Sequence, residues 1–223
     1  DYSPRFNTAA GQVYKLDSGG QTVTLTNDLA SSGATLTKSG AGTINLAGTS
    51  SYSGLTTISG GRLVFQGAKT GSGNITVADG ATLGVTAGTQ VTPATLTVGS
   101  SSGATLGFNN VNSTTTALLA AGTLTVGGPI TVNVNSGTFA VGQSYPLFSW
   151  TSGSAPAVTL GTFTGAGGNL TTNGNSIRLN ITSLAYIWTG NANGNWDTTT
   201  ANNWTLSGIS GVYTEPALAL FND

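Results

Sequence analysis

The sequence predicts an all-β chain wound into a β-solenoid, and three observations predict it. The run Ile75 to Val85, Ile-Thr-Val-Ala-Asp-Gly-Ala-Thr-Leu-Gly-Val, returns slightly stretched at Leu96 to Phe108 as Leu-Thr-Val-Gly-Ser-Ser-Ser-Gly-Ala-Thr-Leu-Gly-Phe. Self-similarity at an offset of roughly 21 to 23 residues, written in short strands and glycine turns, marks a chain that stacks coil upon coil. Elsewhere apolar residues alternate with Thr, Ser or Asn over a few positions before a Gly-containing turn. Finally, only 6% of residues are charged while 38% are apolar and 34 are Gly, which is not the high-charge, low-hydrophobicity profile of disorder.

Taken in order, the alternating sets are Val23 and Leu25, Ile44 and Leu46, Leu63 and Phe65, Leu124 and Val126, then Ile130, Val132 and Val134, then Ile177, Leu179 and Ile181. A period of two puts each set on one dry face of a strand. Thr24, Asn45, Val64, Thr125, Thr131, Asn133, Arg178 and Asn180 fall on the other face. The nearest approach to a helix is Ala117 to Ala121, which Gly122 ends and a strong strand follows, so it reads as extended. Residues 1–115 read as regular coils, and 116–183 as a continuation of the solenoid with longer strands interrupted by Pro129, Pro146 and Pro156. Residues 184–223, rich in Trp, Asn and Gly, read as a junction to the next module or subunit.

Composition excludes several functions. A net charge of −1 from 6 basic and 7 acidic residues gives no footprint for nucleic acid or an anionic membrane. No apolar run is long enough to span a bilayer as a helix, and the first residues form no targeting segment, so the chain reads as a mature or excised piece. Without Cys there is neither a disulfide framework nor a thiolate metal site. Without His, general acid–base chemistry would need paired carboxylates. Asp1, Asp17, Asp28, Asp79, Asp197, Glu215 and Asp223 are dispersed, most of them in turns. Stacking of Asp17, Asp28 and Asp79 on adjacent coils, as in a polysaccharide-degrading β-helix, is the one catalytic alternative. Their spacing does not match the coil. No catalytic residue, cofactor or metal ligand is expected. Gly40 to Gly42 and Gly71 to Gly73 read as turns, because a phosphate loop needs a helix behind it.

Trp188, Trp196 and Trp204 recur every eight residues amid Asn and Gly. Flat aromatic faces beside polar groups suit sugar rings, which makes Trp196, Asp197 and Trp204 candidate glycan contacts. The same residues suit a plug or a packed module junction, since Trp buries a large area.

Leu36-Thr37-Lys38-Ser39-Gly40-Ala41-Gly42-Thr43-Ile44-Asn45-Leu46-Ala47-Gly48, continued by Tyr52-Ser53-Gly54-Leu55-Thr56-Thr57-Ile58-Ser59-Gly60-Gly61-Arg62-Leu63, resembles the autotransporter-associated β-strand repeat, also called the passenger-associated transport repeat. Ile44 for Leu and Leu55 for Gly are the main departures. The resemblance implies a right-handed, single-stranded parallel β-helix, elongated, in a bacterial protein at the cell surface or released as fibre. About ten coils stacked about 4.8 Å apart would make a rod of about 50 Å. The tail Tyr213 to Asp223 resembles the family's run-on into further coils, and Tyr2, Phe6, Val13, Tyr14 and Leu16 resemble the coils it would run into. The chain thus reads as one repeat of a longer array, cut out of phase. With no polar or helical cap in view, it is expected to be a non-enzymatic structural module that associates head to tail with itself. Trp188, Trp196, Trp204, Tyr213 and Phe221 would lie on one side of the junction, and Tyr2 and Phe6 on the other. A glycan-binding adhesin is the alternative.

Overall fold

Strands alternate between two sheets as the chain climbs. The structure, a computed structural model, describes residues 6–88, 90–189, 203–206, 209–213 and 218–221. One sheet receives β1 (Val13–Asp17), β3 (Thr35–Ser39), β5 (Thr56–Ile58), β7 (Ile75–Val77), β9 (Thr95–Val98), β11 (Leu119–Val126) and β13 (Ser144–Ser152). The other receives β2 (Thr22–Leu25), β4 (Thr43–Leu46), β6 (Arg62–Phe65), β8 (Thr82–Thr86), β10 (Ala104–Asn109), β12 (Ile130–Val134) and β14 (Val158–Phe163). Every one of these pairings is parallel. Parallel neighbours joined by a full turn of chain are what a solenoid requires. The alternating sets read from the sequence fall on β2, β4, β6, β11 and β12 and on a later strand, and Ala117 to Ala121 leads extended into β11.

Register turns these strands into columns. Leu46, Phe65, Val85, Phe108 and Val134 stack inward from the second sheet, and Leu16, Lys38, Ile58, Val77 and Val98 from the first. The interior is a continuous apolar cluster from Tyr14 to Ile181. A third wall of loops closes each coil, with Leu29, Ser50 and Lys69 bridged one above another. There the chain passes so close to itself that side chains have no room. A Cβ on Gly54 would fall on the Ala34 carbonyl oxygen, and one on Gly73 on the Gly54 carbonyl oxygen.

The structure corrects two expectations. Seven parallel strands per sheet, not ten coils, give a rod of about 30 Å. The coil lengthens on the way up: Asn45 and its partner Thr24 lie 21 positions apart, Asn135 and Asn109 26, and Thr162 and Asn133 29. The parallel winding also stops before residue 183. β15 (Ala166–Asn173) and β16 (Ser176–Trp188) form an antiparallel hairpin, and β16 pairs antiparallel with β13. This hairpin folds a cap over the end of the first sheet, burying Ile177, Leu179 and Ile181 against the core.

Gly73→Val is expected to lower stability by about 2 kcal/mol or more, because the side chain must push two coils apart. Urea unfolding followed by circular dichroism checks this, with an unchanged midpoint as the contrary result.

Candidate functional site

At the upper end, β16 continues beyond the hairpin and gathers β17 (Trp204–Leu206) on one side and β19 (Leu218–Phe221) on the other, while β18 (Ile209–Gly211) pairs with β17. Trp188 stands opposite Trp204 in one pairing and opposite Phe221 in the other. Trp204 is fully buried, its ring 4.9 Å from that of Tyr213, which packs edge-on against Tyr186 at 5.4 Å. Trp204 therefore presents no open face to a sugar ring. Trp196, Asp197 and Tyr2 lie outside the described residues. At the lower end, Phe6 packs edge-on against Tyr14 at 5.5 Å, and Tyr14 on Tyr52 at 6.4 Å. Of the described residues among them, Phe6 lies at the lower end, and Trp188, Trp204, Tyr213 and Phe221 lie on paired or adjoining strands at the upper end.

Among the described residues, the carboxylates Asp17, Asp28 and Asp79 stand apart from one another. Asp17 accepts from the Gly19 N–H within its own turn, and Asp28 accepts from the Thr49 N–H of the next coil. Asp79 accepts from the N–H groups of Ser100, Ser101 and Gly103 on the next coil and from the Ser100 and Ser101 hydroxyls. Those bonds, the Ser100 hydroxyl foremost, hold its pKa far below the usual carboxylate range. Ser39, Ser59 and Ala78 follow Asp17 along the column that leads to the Asp79 turn, so about three strand spacings, about 14 Å, separate the two acids. No group of three or more potential metal ligands exists among the described residues.

The chemistry that the sequence reading missed is inside. Lys38 is fully buried in an apolar column, and its ammonium donates to the carbonyl oxygens of Ser39, Gly40, Ala41 and Gly60 within 3.3 Å. Burial lowers its pKa, and the Asp17 carboxylate works against that shift. Alternation from Leu36 was enough to point Lys38 inward. Lys69 is buried in the loop wall, where it donates to the Tyr52 and Gly71 carbonyl oxygens and lies 4.3 Å from the centre of the Tyr52 ring. Burial lowers its pKa to about 8. The Tyr52 hydroxyl shares a 2.8 Å hydrogen bond with Thr56, and burial raises its pKa well above the ordinary phenol value. These are buried polar groups with partners, the arrangement that lets them sit in a core.

The family model described as Passenger-associated-transport-repeat matches residues 36–65, which run from β3 to the end of β6. The chain carries a passenger-associated transport repeat. No curated protein and no solved structure matches the chain. Within the repeat, Lys38 ties the turn between β3 and β4 to the coil above, Tyr52 anchors to Thr56, and Gly54 lets the loop wall close. Lys38 thus ties one coil to the next, while Tyr52 and Gly54 let the loop wall between them close.

The signs of the shifts give two expectations. Lys69 releases its proton near pH 8 when folded and near 10.5 when unfolded, so stability rises with pH between those values, until ionisation of Tyr52 in the unfolded chain reverses the trend above about pH 10. Lys69→Met should flatten the rise between pH 8 and 9.5 in denaturant melts, and an unaltered slope would count against the assignment. Asp79 contributes stability above the ordinary carboxylate range and loses it as pH falls below about 4. Melting temperatures of wild type and Asp79→Asn should differ at pH 7 and draw together toward pH 2. A constant gap would show that the charge is not what binds the next coil.

Proposed function

We propose that the chain is a non-enzymatic structural module of a bacterial surface or secreted protein, one that extends an array by stacking coil on coil. The observation that carries this reading is the unbroken parallel ladder from β1 to β13, with the transport repeat built into its lower third. Such a ladder supplies length and rigidity, and Asp28, Lys38 and Asp79 tie one of its coils to the next.

The lower end supports joining to a like unit. Among the described residues, β1 pairs only with β3 and β2 only with β4, so both present unsatisfied outer edges. β14 presents a matching edge at the upper end of the second sheet, while the hairpin covers that end of the first. An edge of this kind templates strand addition, and head-to-tail contacts that do not close make filaments. The neighbour in this reading is a second copy or an adjoining module of the same fold. Lys15, exposed on β1, stands on the edge itself.

Sedimentation and electron micrographs of the chain over a concentration series test the reading. Linear oligomers are expected for the wild type. Lys15→Pro, which removes an outer donor from β1, should return the chain to monomers with unchanged circular dichroism. Monomers throughout the wild-type series would dismiss non-covalent assembly.

A further inference from the structure

The outer face of the second sheet carries a groove that neither stacking nor assembly uses. Register arranges its outward residues in columns. One runs Thr22, Thr43, Arg62, Thr82, Thr105 and Thr131, and the next runs Thr24, Asn45, Val64, Gly84, Gly107 and Asn133. Arg62 is thus the one charged group in a threonine ladder, and two glycines interrupt the column beside it. The groove measures about 440 Å³, and Thr43, Asn45, Gln66, Thr86 and Asn109 line it together with Arg62.

Arg62 leans across two strands. A Cβ built on Gly107 would stand 3.5 Å from its Nη2, so the guanidinium lies over that glycine. Its Nε is buried without a hydrogen-bond partner, and among the described residues no carboxylate pairs with it. Asp17 is engaged in its own turn, and Asp28 and Asp79 are engaged by backbone N–H groups of the next coil. Burial lowers its pKa, yet a guanidinium stays protonated, so a positive charge is held here with no counter-charge. Glycine inside a strand costs stability and often marks a close approach, here of the Arg62 side chain to Gly107 and of Val64 to Gly84. Asn45 and Asn109 each spend one amide N–H on a threonine, to Thr24 and to Thr86, which holds their side chains along the wall.

We propose that this groove binds an acidic polysaccharide, with Arg62 gripping a carboxylate or sulfate on one sugar and the amides and hydroxyls of Asn45, Gln66, Thr86 and Asn109 bonding the hydroxyls of its neighbours. A planar guanidinium matches an oxyanion through two parallel hydrogen bonds, which a neutral sugar cannot return. The walls offer uncharged donors and acceptors, the chemistry that hydroxyls answer. The two glycines leave room for the Arg62 guanidinium to lie flat along the groove, where its edge can face a ligand. Wall groups recur at the strand spacing of about 4.8 Å, close to the advance of one sugar along an extended chain.

Calorimetric titration of the chain with an oligogalacturonate, a sulfated oligosaccharide, a neutral cello-oligosaccharide and inorganic sulfate tests this. Binding of at least one acidic oligosaccharide is expected, at least tenfold tighter than the neutral one and than free sulfate; the stronger acidic arm identifies the oxyanion. Arg62→Gln should abolish that preference, and Gly107→Val, which lifts the guanidinium from its seat, should weaken acidic binding. Arg62→Lys should restore part of the preference. Equal binding by wild type and Arg62→Gln, sulfate binding as tight as the oligosaccharides, or no binding at millimolar concentration would each overturn the proposal. None of these outcomes depends on whether the chain polymerises.

Discussion

The parallel ladder imposes one demand on which the rest of the molecule depends: each coil must set its side chains directly over those of the coil below, about 4.8 Å away. Columns therefore have to be tolerant of themselves. Leu46, Phe65, Val85, Phe108 and Val134 meet the demand with apolar bulk that can vary, because a smaller residue sits beside a larger one along the column. A polar residue in such a column must bring partners with it. Lys38 does so by reaching past the strand end to the backbone carbonyl groups of the turns at its own coil and the next. The same demand explains the loop wall, where Gly54 and Gly73 stand because the backbone of the coil below already fills the space of a side chain.

Much of this was legible because solenoid order is local order repeated. Period-two alternation at Ile44 and Leu46 or Ile130 and Val132 places these residues inward whatever their neighbours are. The coil spacing near Ile75 and Leu96 appears directly as repeated text, and the two pair in the structure. What stayed hidden depends on long-range pairing. Ile177, Leu179 and Ile181 alternate the same way in a parallel or an antiparallel strand, so nothing local told that β16 reverses direction and caps the sheet. The lengthening of the coil is equally silent, since added loop residues carry no strand pattern. Lys38 was readable from its distance to Leu36, whereas Lys69 lies in a loop wall where no periodicity assigns an inside. The groove around Arg62 emerges only when β6, β8 and β10 are laid in register.

The two ends of the rod are chemically unlike. The lower end presents bare edges and holds within it a stack of the partly buried Phe6 ring and the buried Tyr14 and Tyr52 rings, while the upper end is folded over by a hairpin and continued by strands around Trp188 and Trp204. Pairings within the transport repeat, near the bare end, span about the same sequence separation as those of the coils just above it. Growth of the ladder away from such a segment adds one coil at a time against a surface that already exists.

The buried lysines have one more consequence. Trypsin-like proteases read a lysine or arginine side chain and need the adjoining backbone free and extended in their cleft. Of the chain's 6 basic residues, Lys38 and Lys69 are sealed within the interior, and Arg62 and Arg178 sit on strands hydrogen-bonded on both sides. Cleavage at those four positions must wait for the coils to part, so digestion there is governed by how often the ladder opens and not by how many sites it contains.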